Sequence, residues 1–198
     1  MTEIRELHRC QFHAAANLLA RAMRDDPMHV AVFGPRALHR LGQLDRFFCA
    51  LLPVMDQAPL SAWEADSLIG VAGYFRPGTC WLPLYAQLRI AAHLFSPRVG
   101  ELFRLWRWQH ASGLHDLRER HWHLGPVAVE ESWQRRGIGN QMLQVFCTHL
   151  DKRGEAAFLE TDKVESLRFY ARLGFKVIAT EKVLGVSDWW MSRPGIRR

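Results

Sequence analysis

The order of hydrophobic and polar residues in the first third of the chain predicts both strands and helices. Apolar residues recur every three or four positions from Phe12 to Met23, as in a helix that packs on a core. Pro27 is expected to end this helix and Pro35 to open another, because proline fits only the first turn of a helix. The predicted elements are a strand at 4–7, helices at 12–23 and 35–55, and strands at 60–63 and 68–75.

Strand and helix patterns also alternate in the second half of the chain. An apolar run at 124–129 precedes a polar turn, and a helical stripe then extends from Ile138 to Leu150. Gly154 follows two basic residues, a combination that commonly ends a helix. The remaining predicted elements are a strand at 156–160, a helix from Asp162 to Leu173 with Asp162 and Glu165 at capping-box spacing, and a hairpin of strands at 176–184 and 187–192.

A longer segment, 81–120, separates these two halves. It carries two helical patterns that meet at Ser96-Pro97, a pair typical of a helix start. Its aromatic residues suit either a wall over a binding site or a surface for self-association into a homodimer, and they are Trp81, Tyr85, Trp106 and Trp108. For each tryptophan taken singly, plain core packing is the expected role.

The composition is typical of one globular domain, which we expect to span residues 1–198. Hydrophobic residues make up 48% of the chain and charged residues 23%, and no repeats or low-complexity linkers divide it. The four cysteines are widely spaced and show no metal-binding or redox spacing, as expected for reduced thiols of a cytoplasmic protein. Neither a secretory signal nor a membrane-spanning stretch is predicted.

The net charge of +6 and the pI near 9.5 are compatible with nucleic acid, a membrane surface or a small anion as ligand. Apart from Arg135-Arg136 and the C-terminal arginines, the basic residues are scattered and form no basic helix or strip. A polyanionic cofactor is therefore the simplest explanation, with no nucleic acid or membrane as partner. His121 and His123 lack further ligands at recognisable spacing, so no metal site is predicted.

The turn at 134–139 reads Gln-Arg-Arg-Gly-Ile-Gly and opens a predicted helix. The first N–H groups of a helix have no internal partner and carry the positive end of its dipole, so they attract anions. Gly137 and Gly139 leave room for a phosphate, and Arg135 and Arg136 add positive charge. A pyrophosphate is the predicted ligand, although neither a Walker A loop nor a dinucleotide-binding glycine pattern is present.

This turn, written Gln134-x-x-Gly137-x-Gly139, resembles motif A of the GNAT superfamily of acetyl-CoA-dependent N-acetyltransferases. The strand before it and the Tyr170-x-x-x-Gly-Phe segment after it are also similar to that family, so the resemblance covers about 121–193. It implies that acetyl-CoA is bound by Val127, Ala128, Val129, Gln134, Arg135, Arg136, Gly137, Ile138, Gly139, Asn140 and Ser166.

The resemblance also implies an α+β fold. We expect a mixed, mostly antiparallel sheet of six or seven strands flanked by helices, with segment 81–120 as a helical insertion between the third and fourth strands. The sheet should splay between the strands that hold Val127 and Phe158, so that the coenzyme can enter. Two helices between the first two strands should form one wall of the acceptor site. Asp25 and Asp26 lie at the joint of these helices, either as a solvated helix end or as an amine-binding pair.

Three residues are implied to be catalytic. Tyr170 occupies the position where the family places a hydroxyl near the coenzyme sulfur, so it is the predicted acid for the departing thiolate. His123 and Glu160 are the candidates for the base that deprotonates the amine, with Glu130 as a rival and a water relay as a further route. By strand alternation, His123 shares a face with Val127 unless a bulge intervenes.

The predicted function is transfer of the acetyl group of acetyl-CoA directly to a primary amine of a small molecule. The alternatives are a protein or peptide N-acetyltransferase and a non-catalytic acyl-CoA-binding domain, against which Tyr170 argues. A nucleic-acid-binding protein is suggested by the charge alone.

Overall fold

The computed structural model of the protein describes residues 2–78, 84–94 and 99–195. Within them, one sheet contains seven strands, numbered β1 to β7 along the chain: Glu3–Glu6, Leu60–Glu64, Ser67–Phe75, His121–Val129, Ala156–Thr161, Lys176–Val183 and Val186–Arg193. The strands lie in the order β1-β2-β3-β4-β5-β7-β6. In the described sheet, β4 and β5 are parallel and every other neighbouring pair is antiparallel. The predicted mixed, mostly antiparallel sheet is confirmed.

Helices cover both faces of the sheet. The described α-helices, numbered α1 to α7, are Phe12–Ala22, Pro27–Phe33, Ala37–Leu51, Leu84–His93, Val99–His115, Ile138–Arg153 and Val164–Arg172. Helices α1 to α5 contribute to one hydrophobic core, and α6 and α7 contribute to a second one on the other face. The predicted insertion between the third and fourth strands is confirmed as α4 and α5. Ser96-Pro97 and Trp81 lie outside the described residues.

Helix α2 was not predicted, because Pro27 was interpreted as the end of α1. Asp26 is extended, with ψ of 136°, and Pro27 then begins α2 as its first helical residue. The helix α3 begins at Ala37 rather than at Pro35. The predicted capping box of α7 is also wrong, because Lys163 is the N-cap residue. The Asp162 carboxylate instead accepts a hydrogen bond of 2.5 Å from the N–H of Met28, in the first turn of α2.

The sheet is splayed in the middle, as predicted. Strand β4 pairs with β5 only from His121 to His123, opposite Ala156 to Phe158, and the two strands then diverge. On its other side, β4 pairs with β3 along most of its length. The edge of β4 beyond His123 is therefore left without a strand partner toward β5.

A β-bulge interrupts β4 just beyond His123. Ala72 and Tyr74 of β3 pair with Val127 and Leu124 of β4, so two residues of β4 lie opposite Gly73 alone. A side chain at Gly73 would collide with its neighbours, because a Cβ atom there would lie 2.8 Å from the Met55 side chain and 2.9 Å from the Pro126 ring.

The bulge reverses the side-chain alternation along β4. His123 contacts Phe75 and Phe158 of the first core, whereas Val127 packs against the second core. The expectation that His123 and Val127 share a face was conditional on a regular strand, and it is wrong here. The histidine consequently lies on the face covered by α1, α2, α3 and α5.

The described cysteines are free thiols in different surroundings. Cys147 is buried, Cys49 is partly exposed and Cys10 is exposed. Among the described helices, none combines the length and the apolar character that crossing a membrane requires.

Candidate active site

A groove runs from β4 to the first turn of α6. Gly137 precedes this helix with φ of +82°, a conformation that favours glycine, and the N–H groups of Ile138, Gly139 and Asn140 have no partner within the helix. The first turn contains no acidic residue. This end of the helix is therefore suited to an anion, as the sequence predicted.

The side chains of the preceding turn hold its shape. The Gln134 side chain donates a hydrogen bond of 3.0 Å to the carbonyl of Val129, which ties the turn to the end of β4. The Arg136 guanidinium lies 4.8 Å from the centre of the Trp133 ring and is exposed. All of the predicted cofactor-binding residues line the groove except Arg136.

A second cavity, of about 350 Å³, lies on the α5 side of the splayed strands. Its walls come from α2, α3, α5, β4 and β5, and much of its lining is aromatic. We call it the acceptor-side cavity. It joins the groove where both are lined by the same residues: Met23, Val127, Lys163, Ser166 and Tyr170. The insertion helix α5 thus forms one wall of this cavity, which was one of the two roles predicted for it.

Tyr170 lies at this junction. Its ring packs against Phe169 and Phe175, with centroids 5.0 and 5.9 Å away. Within the described residues, its hydroxyl has no hydrogen-bond partner. Burial raises the pKa of the phenol well above its ordinary value, and the negative charges of Glu160 and Asp26 raise it further. The phenol is consequently protonated at neutral pH and can donate a proton or a hydrogen bond.

His123 and Glu160 form a pair in the acceptor-side cavity. The His123 Nε2 atom lies 3.1 Å from the carboxylate of Glu160, and both side chains are about one-fifth exposed. Glu130, the rival base, instead forms an ion pair with Arg21 of α1 and lines neither the groove nor the cavity. The structure therefore brings the three predicted catalytic residues, Tyr170, His123 and Glu160, to one cavity.

Asp25 and Asp26, the acidic pair between α1 and α2, have different surroundings in the structure. Asp25 is exposed and pairs with Arg24 and Arg40, which lower its pKa to about 2. Asp26 lines the cavity and pairs with Lys163, but burial raises its pKa to about 6.

The cavity also contains polar residues that the sequence analysis did not identify as site residues, among them His29, Asp162 and Asp188. His29 is 4% exposed, and its Nδ1 atom lies 2.8 Å from the carbonyl oxygen of Met23. Burial lowers the pKa of this imidazole and favours its neutral form. For Asp188, the signal was its place two residues before Trp190 in a strand, which puts an acidic side chain on the inward face.

The described residues contain no group of three His, Cys, Asp or Glu side chains placed to hold a metal ion. The acidic side chains of the cavity instead lie beside nitrogen atoms of the protein. For Asp188 these are uncharged groups, the Trp108 side chain and the N–H of Trp189, which partly offset the rise in its pKa that burial causes.

Comparisons with known proteins agree with this geometry. The model of the Acetyltransferase (GNAT) family matches residues 28–175 of the chain. A Corynebacterium glutamicum protein described as histone acetyltransferase HPA2 and related acetyltransferase has a similar fold, with a TM-score of 0.74 and 17% identity over 100% of this chain and 98% of that chain. An agmatine N-acetyltransferase gives a TM-score of 0.64 and 13% identity over 98% of this chain and 99% of that chain. YncA of Salmonella typhimurium, whose structure contains acetyl-CoA as its cofactor, gives a TM-score of 0.59 and 13% identity over 100% of this chain and 96% of that chain.

Proposed function

Because the chain belongs to the GNAT family of acetyltransferases, whose acetyl donor is acetyl-CoA, we propose that it acetylates a primary amine of a small molecule directly. The observation that carries this proposal is the junction at Tyr170. There the groove suited to the coenzyme meets a separate cavity suited to an acceptor. Direct transfer needs both reactants side by side in this way.

The residues of the groove fit the coenzyme. The first turn of α6 contains no acidic side chain, and its backbone N–H groups suit a pyrophosphate. A Cβ atom at Gly139 would make ordinary contacts, 3.5 Å from Phe169 and 3.7 Å from Val129, so the packing of the protein alone does not require glycine there. The unpaired edge of β4 offers backbone groups to the amide-containing arm of the coenzyme. Acetyl-CoA supplies the acetyl group as a reactive thioester.

The acceptor amine must lose a proton, since a free alkylamine has a pKa of about 10. We propose that His123 accepts this proton, either directly or through a water molecule, and that Glu160 holds the imidazole in position. Tyr170 then donates its proton to the departing thiolate. The phenol is protonated at neutral pH and so has a proton to donate as the thiolate forms, although burial raises its pKa and makes it a weaker acid than an exposed tyrosine.

The cavity favours a small acceptor over a protein. Its volume of about 350 Å³ lies in the range of small-molecule sites, and α5 walls it on the acceptor side. Among the structural neighbours, one is described by a small amine, agmatine, and one by histones, so neighbours of both kinds share the fold.

The test is an acceptor screen. The purified protein is incubated with acetyl-CoA and a panel of small amines, histones and N-terminal peptides, with free thiol and product mass as the two measurements. We expect thiol release and an acetylated product with at least one small amine. Acetylation of peptides or histones alone would contradict the small-molecule proposal, and binding of acetyl-CoA without transfer to any acceptor would favour a non-catalytic domain.

A further inference from the structure

Asp188 is the most deeply buried carboxylate of the acceptor-side cavity. It lies in β7, opposite Glu181 of β6, and it is 1% exposed. Side chains alternate along a strand, so Asp188 shares a face with Trp190, which belongs to the first core. Asp188 also lines the cavity itself. A charged side chain therefore stands on a face that the rest of β7 uses for apolar packing.

One carboxylate oxygen of Asp188 has no partner. Its Oδ2 atom is fully buried, and no hydrogen-bond donor reaches it among the described residues. The other cavity acids lie beside nitrogen atoms of the protein: Asp26 pairs with Lys163, Asp116 with His121, and Asp162 accepts the N–H of Met28. The Glu160 Oε2 atom also lacks a hydrogen-bond partner among the described residues, but it lies 3.1 Å from His123. Asp188 has the uncharged Trp108 side chain and the N–H of Trp189 beside it, and burial raises its pKa more than these two groups lower it. A buried, unpaired polar atom is costly, and native proteins leave few of them.

Asp188 is offset along β7 from the residues proposed to react. Glu160 pairs with Trp190 across β5 and β7, and Asp188 lies two residues beyond Trp190, about 7 Å along the strand at ordinary spacing. Besides burial, the charges of Glu160 and Asp162 raise the pKa of Asp188, so the three carboxylates belong to one region of the cavity. A cation at Asp188 would therefore lie one diagonal strand step from Glu160, a distance that a short alkyl chain can span.

We propose that Asp188 binds a second cationic group of the acceptor, an ammonium or guanidinium at the far end of an alkyl chain. This inference rests on the proposed function and adds a substrate class to it, namely diamines and related dications. The cavity lining includes aromatic side chains, Phe48 and Phe158 among them, which suit the methylene groups of such a chain. Burial raises the pKa of Asp188 to about 7, and a bound cation would restore the ionised form.

The test compares three acceptors of similar length that differ at the far end: cadaverine, with an ammonium; pentylamine, with a methyl group; and δ-aminovalerate, with a carboxylate. For the wild-type protein we expect kcat/KM to fall in that order, with cadaverine favoured over pentylamine by roughly 10-fold to 100-fold, the usual range for a charge-assisted hydrogen bond. This comparison needs no variant. Equal values for cadaverine and pentylamine would overturn the inference.

Asp188→Asn keeps the shape of the side chain and removes its charge. It should lower kcat/KM for cadaverine by roughly 10-fold to 100-fold, mainly through KM, and leave pentylamine within about twofold. The matched control is Glu181→Gln, which removes a carboxylate that pairs with His115 and does not line the cavity. It should leave both acceptors unchanged. Equal losses for cadaverine and pentylamine in Asp188→Asn would contradict a role at the second cation.

Failure of the function and failure of this inference can be told apart. If pentylamine or another amine is acetylated without any preference for cadaverine, only the inference fails. If no amine is acetylated, the proposed function fails. Thermal unfolding of the protein with bound coenzyme A then tests separately whether Asp188 binds a cation. Stabilisation by cadaverine but not by pentylamine would still support the cation site, whereas equal shifts would reject it.

Discussion

Replacing Tyr170 with phenylalanine removes one oxygen atom and keeps the ring that packs on Phe169 and Phe175. The hydroxyl has no hydrogen-bond partner among the described residues, so its loss should change the free energy of unfolding by less than about 1 kcal/mol. Catalysis should respond differently. Losing a positioned acid lowers kcat by roughly 10²-fold to 10⁴-fold, which corresponds to about 3–5 kcal/mol of transition-state stabilisation.

The affinity for acetyl-CoA should change little, because the proton is transferred only as the thiolate departs. Steady-state kinetics at saturating acceptor, together with calorimetric binding of acetyl-CoA, separate the two effects. Tyr74→Phe is the matched control. Tyr74 packs against Trp122 and Phe146 in the second core and lines neither the groove nor the cavity, so kcat should stay within about twofold.

The reasoning fails if kcat of Tyr170→Phe stays within about twofold of the wild-type value while a rapid-quench experiment shows that chemistry limits turnover. A tyrosine that only packs at the junction would behave in that way. A large loss of affinity for acetyl-CoA with unchanged kcat would instead assign the hydroxyl to binding.

Three further changes test other parts of the site. Gly139→Asp should weaken acetyl-CoA binding by roughly 100-fold or more, because a carboxylate would repel the pyrophosphate at the start of α6. Arg135→Ala should weaken binding by less than about 10-fold, because the backbone donors remain. Equal losses of affinity in calorimetry would contradict this expectation. Glu160→Gln should lower kcat by about 10-fold or more with little change in KM for acetyl-CoA, since it removes the charge beside His123, and an unchanged kcat would exclude Glu160 from catalysis. Burial raises the pKa of Asp188 from 3.8 to about 7, so between these values the unfolded chain has released a proton that the folded protein keeps. The folded state should therefore lose up to about 4 kcal/mol of stability as the pH rises from about 4 to 7, and Asp188→Asn should remove that loss. Urea unfolding near the two ends of this range measures it, and an equal difference between wild type and variant at both pH values would contradict it.

The features that could be predicted from the sequence are local ones. The turn from Gln134 to Gly139 encodes its own geometry, because a glycine at positive φ and a helix start need only neighbouring residues. The hairpin at the C-terminus and the end of α6 at Gly154 are similar cases. The family resemblance then supplied the sheet and the splayed strands, which depend on contacts between distant segments.

The features that were missed depend on those distant contacts. Pro27 both ends α1 and begins α2. The carboxylate that accepts a hydrogen bond from the first turn of α2 belongs to Asp162, which lies 134 residues after Met28 in the sequence. The spacing of Asp162 and Glu165 instead predicts a capping box on the helix that follows them, because capping boxes are recognised by local spacing. The buried position of Asp188 likewise becomes clear only when β7 is placed between β5 and β6.

The bulge opposite Gly73 makes the two ends of β4 independent in register. The register of residues 121–123, which include His123, is fixed by pairing with β5. Residues 127–129 carry the backbone groups proposed to bind the coenzyme. Deleting a single residue between the two ends would restore the regular alternation of side chains along β4. His123 would then face the second core, and its neighbours Trp122 and Leu124, which now face that core, would turn toward the cavity. Gain or loss of one residue at this point would thus switch which side chains reach the acceptor without altering the coenzyme end of the strand.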